Sequence, residues 1–298
     1  MEIAPDFYRA HGPMGAAGKW ATELRSLPDD IGALCRIVQG VLVHRDLASL
    51  LYALTLSAES RDLANTRPVR DALSTITALQ ERPLSVPRAP QMRMPCVCWH
   101  FSTVLATVLR EKGIPARARC GFGAYFMPGR YEDHWVAEYW SAAAERWVLV
   151  DAQLDSIQKK TFRPDFEPLD VPRNRFILAG DAWQMCRSGR ADENLFGLSF
   201  LKEQGLWWIG ANLIRDLAAL NRVEMLPWDV WGIMHEPGEA FGPGELSLLD
   251  RVAALTLAGN SRLAELQTIY ADPRLEVPDV VFNADRKKRE NIAFANAR

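Results

Sequence analysis

Three residues in the stretch 95–154 have the types that nucleophilic acyl chemistry needs: Cys98, His134 and Asp151. A thiol attacks a carbonyl as its thiolate. A thiolate is stabilised where a helix begins, because the first backbone N–H groups are unpaired and the helix dipole is positive there. Cys98 stands at such a place. Phe101, Val104, Leu105, Val108 and Leu109 follow it at helical spacing and make one buried face, until Gly113 and Pro115 stop the helix. The same N–H groups can hold an oxyanion. Cys96 is the rival nucleophile, but it follows Pro95 directly and falls before the helix.

His134 opens one expected strand and Asp151 closes the next, across a turn at 141–145. If the strands pair with His134 facing Asp151, the two side chains share a sheet face within hydrogen-bond reach. The carboxylate then fixes the imidazole tautomer and leaves the other ring nitrogen to take the thiol proton. A register slipped by one residue would turn Asp151 to the opposite face.

Other residues carry competing readings. Cys96, Cys98 and His100, with Cys120 and His134, offer a C-x-C-x-H metal spacing, but no second pair completes it. His100 is expected to point away from Cys98, as a surface or supporting group. Arg117 and Arg119 alternate onto one strand face, where they pair with acids such as Glu138 or clamp a substrate carboxylate. Trp99 and Trp135 flank the cysteine and histidine and are candidates for substrate contact. Trp140, Trp207, Trp208, Trp228 and Trp231 are core or cleft wall. Asn212, Arg215 and Asp216 interrupt an apolar helix, as a buried network or as pocket lining.

These residues need elements to position them. Residues 1–90 read as helical: Asp29 and Asp30 lead a helix over 31–44, a second pattern covers 47–56, and Pro68 introduces a third over 69–79. Pro83, Pro87, Pro90 and Pro95 punctuate a connector. After the Cys98 helix come a strand over 116–122, a loop with Pro128 and Gly129, and the hairpin of 134–140 with 146–151. Beyond Asp151, Pro164, Pro168 and Pro172 mark irregular chain, and helical patterns follow over 173–189, 205–221, 244–257 and 261–270. The run D-R-K-K-R-E at 285–290 reads as a solvated, partly disordered end.

With C-W-H-F-S at 98–102, G-I-P-A-R-A-R-C-G-F at 113–122, D-H-W-V-A-E-Y-W at 133–140 and R-W-V-L-V-D-A at 146–152, the stretch resembles the core of the transglutaminase-like superfamily. The resemblance implies an α+β fold with a papain-like core, the cysteine helix packed on an antiparallel sheet. It also implies a catalytic triad of Cys98, His134 and Asp151. Cys96 stands where that family often has glycine. The matched blocks leave the helical flanks aside, so a core over 91–165 is expected between helical regions at 1–90 and 166–298, all packed as one globular unit.

Composition narrows the function classes. A net charge of −2 gives no basic excess for nucleic acid. The apolar run at 205–214 is about half of the roughly 20 residues a membrane span needs. The N-terminal MEIAPDFYRAHG lacks the apolar stretch of a signal peptide, and five cysteines argue for a reducing compartment, so a cytoplasmic protein is expected. No D-x-[DN]-x-[DN]-G calcium loop occurs, and no metal or other cofactor is expected. The expectation is a cysteine hydrolase or acyltransferase acting on a small-molecule or peptide substrate. The alternative is a non-catalytic binding or scaffold protein that kept the fold.

Overall fold

A computed structural model describes residues 4–292. Met1–Ile3, at the head of the stretch read for a signal peptide, lie outside them. Short helices α1 (Ala4–Phe7) and α2 (Ala21–Ser26) precede α3 (Ile31–Val41). The Asp30 carboxylate caps α3 by accepting the Ala33 N–H at 2.7 Å. The expected helix over 31–44 stops early, because Leu42–His44 forms strand β1. Helices α4 (Ala48–Tyr52) and α5 (Ala58–Asp62) follow, then α6 (Val69–Leu79), with Pro68 at its N-cap. The pattern over 47–56 yields only α4, since Ala53 turns left-handed at φ 52°.

Strand β2 (Met94–Cys96) pairs in parallel with β1 and feeds α7 (Cys98–Glu111). Then come β3 (Ala116–Gly123), β4 (Tyr131–Ser141) and β5 (Arg146–Val150). Helix α8 (Ser156–Phe162) stands where irregular chain was expected, capped by Asp155. The remainder runs β6 (Phe176–Leu178), α9 (Ala179–Arg187), β7 (Phe196–Leu198), β8 (Glu203–Gln204), α10 (Leu206–Leu220), β9 (Asp229–Val230), α11 (Pro243–Leu257), α12 (Leu263–Tyr270), β10 (Val280–Asn283) and β11 (Lys288–Asn291). The 285–290 run is therefore a folded hairpin and not a frayed tail. Arg286 pairs with Glu290 at 2.9 Å across its turn.

The chain forms an α+β protein whose contacts divide it into two compact bodies. The cysteine body holds 5–118 and 135–171; the histidine body is built mainly from 119–134 and 172 onward. The division passes through β3 and β4, so each strand gives one half to each body.

In the cysteine body, one apolar core joins Leu34, Cys35 and Val38 of α3, Leu73 and Ile76 of α6, and Phe101, Val104, Leu105 and Val108 of α7. It extends to Val148 and Val150 of β5. Helix α7 is buried on every side from Cys98 to Arg110, not on one face. Its hydroxyls find backbone acceptors: Ser102 and Thr103 donate to the Trp99 carbonyl at 2.8 and 2.9 Å, and Thr107 to that of Gly15 at 3.0 Å. The β4–β5 hairpin pairs Ala137 with Val150 and Ser141 with Arg146. That register differs by two residues from one setting His134 against Asp151, and Val136 is the next β4 residue in line with Asp151. An even slip keeps each side chain on its expected face.

In the histidine body, α9, α10 and α11 pack on one another. Strand β6 pairs antiparallel with β3, and β7 joins the N-terminal half of β4 in parallel, so the sheet is mixed rather than antiparallel. Gly121 lies opposite Leu178, and a Cβ added there would fall inside contact distance of the Ile177 carbonyl oxygen. Gly121→Ala should therefore lower stability by about 1–3 kcal/mol, the usual range for overpacking. An unchanged urea midpoint would show that the β3–β6 approach is looser than described.

Candidate active site

Cys98 is the first residue of α7 and is 6% exposed, whereas Cys96 two residues earlier is fully enclosed in β2. The helix start is closed without a charged side chain. Val97, at the N-cap, has no side-chain acceptor, and the first turn contains no acid. Instead His100 Nδ1 accepts the Val97 N–H at 3.3 Å, and Nε2 lies 3.0 Å from the Thr66 carbonyl. Nδ1 accepts, so Nε2 carries the hydrogen and donates to Thr66. Burial pushes the His100 pKa down to about 3, which keeps the ring neutral. His100 is thus a buried cap for the Cys98 helix and not a surface group. With both ring nitrogens committed to backbone, it has no lone pair for a metal. Among the described residues no group of three His, Cys, Asp or Glu side chains is arranged to hold one.

Three other thiols are held away from ionisation. Burial pushes Cys96 well up, and the neighbouring Cys98 adds to it. Burial, then the Asp151 charge, raises Cys35 to about 12. Burial also raises Cys186 to about 12. None of the five cysteines is in a disulfide.

Asp151 follows the last paired residue of β5 and is 1% exposed. Its N–H donates to the Pro168 carbonyl at 2.8 Å, and its Oδ1 accepts the Gln153 N–H at 2.9 Å. Backbone groups therefore hold both the main chain of Asp151 and one oxygen of its carboxylate.

His134 ends the 119–134 segment of the histidine body and is 2% exposed. Phe126, Tyr125 and Phe176 crowd its ring edge-on, with centroids at 4.8, 6.0 and 6.3 Å. The preceding residue, Asp133, accepts from Trp208 Nε1 at 2.6 Å and Asn212 Nδ2 at 2.9 Å, and burial raises its pKa.

Both strand arginines are committed to internal carboxylates. Arg117 Nε bonds Glu138 at 2.6 Å, with the guanidinium 4.7 Å from the Tyr8 ring and 4.0 Å from that of Trp147. Arg119 makes a two-pronged pair with Asp216 at 3.0 and 2.9 Å, and Asp216 also accepts the Cys120 N–H at 2.9 Å. Arg215 donates to Asn212 Oδ1 at 3.0 Å and to the Asp229 carbonyl. The polar positions of α10 are thus a buried network. Trp99 and Trp135 are each 1% exposed, and the indole Nε1 of both lacks a hydrogen-bond partner. A concavity between α11 and α12, lined by Leu248, Arg251, Ile269 and Arg274, contains none of Cys98, His134 or Asp151.

Sequence reasoning passed over three buried polar residues in these surroundings: His100 as the helix cap, Asp133 and Gln153. Each had a signal. His100 is three residues past the N-cap, where a side chain reaches back to the cap N–H. Asp133 and Gln153 are polar residues flanking hydrophobic strands.

Residues 73–152 match the model of the Transglutaminase-like superfamily. A solved structure of a candidate cysteine protease from Cytophaga hutchinsonii aligns with 59% of this chain at 14% identity and a TM-score of 0.33. The chain spans 48% of that protein, about half its length. No curated protein matches the chain. Among the described residues no helix is long and apolar enough to cross a membrane.

Proposed function

We propose that the protein is a cysteine-dependent acyl-transfer enzyme working through a thioacyl intermediate. Cys98 attacks an amide, ester or thioester carbonyl of a small-molecule or peptide substrate. His134 takes the thiol proton and returns it to the leaving group, and Asp151 orients His134. Water resolving the intermediate makes a hydrolase; an amine resolving it makes an amide-forming acyltransferase.

The observation that carries this reading is the start of α7. Cys98 occupies its first position, and the cap is a neutral imidazole with no acid in the first turn. The first turn of α7 therefore adds no anion of its own to the positive end of the helix dipole, which would stabilise a thiolate at Cys98. The match of 73–152 to a transglutaminase-like core supports the same assignment. Cys35, Cys96 and Cys186 are poor rivals, because their thiols are all pushed up.

Competitive labelling tests it. Near pH 7, iodoacetamide should alkylate Cys98 at least about tenfold faster than the other four cysteines, as expected for a thiol activated by its surroundings. Cys98→Ala should remove the fast phase. Equal labelling rates at all five thiols would point instead to a scaffold that kept the fold without the chemistry.

A further inference from the structure

The concavity between α11 and α12 lies wholly within the histidine body and has a volume of about 580 Å³, the size of a site for a small organic molecule. Helical spacing builds it. Leu248, Arg251 and Leu255 recur three and four residues apart on α11, so one stripe of that helix lines it. Glu265 and Ile269 do the same on α12. The floor is apolar: Leu248, Leu255 and Ile269 are each 5–6% exposed.

The rim is cationic. Guanidinium groups reach it from three places: Arg251 from α11, Arg262 from the N-cap of α12, and Arg274 from the chain beyond α12. Two of the three are already paired. Arg262 grips Glu265 through Nε at 2.7 Å and Nη2 at 2.5 Å, and Arg274 grips Asp272 through Nε at 2.9 Å and Nη2 at 2.6 Å. The bonds from Arg274 pull the Asp272 pKa down to about 2, and those from Arg262 pull Glu265 down as well. Both carboxylates are therefore ionised at neutral pH, and each offsets one cation. Arg251 has no hydrogen bond or ion pair among the described residues, so one positive charge is left over. Thr268 adds no donor, since its hydroxyl gives its hydrogen to the Ala264 carbonyl at 2.8 Å.

An inorganic anion would answer Arg251 and leave the floor wet. A neutral apolar molecule would cover the floor and draw nothing from the cation. The complement to both is a singly charged organic anion with an apolar body. We propose that this concavity binds a small amphipathic carboxylate, its apolar body on Leu248, Leu255 and Ile269 and its carboxylate on Arg251. A planar guanidinium suits that head group, because two parallel N–H donors match its two oxygens. The site uses none of the groups assigned to acyl transfer, so it stands or falls apart from the labelling of Cys98.

Titration calorimetry of the full chain with 2-naphthoate tests it. One molecule per chain should bind, at least about tenfold more tightly than 2-naphthamide, which has the same body without the charge; that is the scale of one charge-assisted hydrogen bond. Arg251→Gln should bring naphthoate to the level of the amide and leave the amide's affinity unchanged. Ala254→Trp, which fills the concavity from an exposed position of α11, should abolish binding of both. Arg251 and Ala254 are both exposed, so the two variants should melt with the wild type. Arg36→Gln, at an exposed arginine of the cysteine body, should bind naphthoate as the wild type does. No saturable binding, or equal affinity for acid and amide, would overturn the proposal. So would an Arg251→Gln protein that keeps the preference, or an Ala254→Trp protein that still binds. Inorganic phosphate binding as tightly as naphthoate would also overturn it, by showing a site for charge alone.

Discussion

Asp216→Ala should lower the stability of the histidine body by roughly 3–5 kcal/mol, the cost of stranding one partner of a buried ion pair. Both Asp216 and Arg119 are enclosed, at 0% and 2% side-chain exposure. The carboxylate answers two guanidinium N–H groups and the backbone N–H of Cys120. Alanine removes all three hydrogen bonds and leaves a cation in the interior. Against a total stability of about 5–15 kcal/mol, that loss decides whether the body folds. The pair itself need not be a net gain, since two buried charges give up their hydration. Arg119→Met combined with Asp216→Leu should therefore recover most of the loss. Urea unfolding of the three proteins measures this. A single variant as stable as wild type would show that the network is not closed in solution.

Lowering the pH should weaken the cysteine body through His100. Its folded pKa is about 3 against an unfolded value of 6.5, because burial disfavours the imidazolium. A base depressed by folding binds fewer protons in the native state, so unfolding gains protons in acid. The stability is intact above pH 6.5 and is lost as pH falls towards 3. At about 1.4 kcal/mol per unit, the loss reaches roughly 2–3 kcal/mol by pH 4.5. His100→Asn can still offer an oxygen to the Val97 N–H but does not titrate. Melting curves of wild type and variant should therefore diverge between pH 6.5 and 4.5, with wild type falling faster. Parallel curves would mean that the imidazole is hydrated and not enclosed.

The strongly periodic helices were legible before any coordinates. The pattern over 69–79 matches α6 residue for residue, and Asp30 and Pro68 mark their helix starts. Such helices carry their own signal in apolar spacing and caps. Strands of two to four residues such as β1, β2 and β8 carry none, because partner strands decide them. The hairpin register was missed for a definable reason. The tight turn uses Glu145 in the left-handed region at φ 50°, and A-A-A-E has no glycine or asparagine to announce it. The candidate site divides similarly. Cys98, His134 and Asp151 stand out by residue type and neighbours. The role of His100 depends on a long-range partner, Thr66, and the hydrogen bond from Gln153 to Gln158 is anchored by the distant Tyr52.

The interleaving of the two bodies along the chain bears on the order in which a ribosome delivers them. Every residue of the cysteine body, with Cys98 and Asp151, has been synthesised once residue 171 is added. The segment 119–134, which ends in His134, belongs with chain that has not yet been made. Arg119 waits for Asp216, Asp133 for Trp208 and Asn212, and the ring of His134 for Phe176. Domains tend to form as their chain emerges. Under the roles proposed for Cys98 and His134, the nucleophile is therefore made with its own body, while the base is ordered only after the chain through Asp216 has been added.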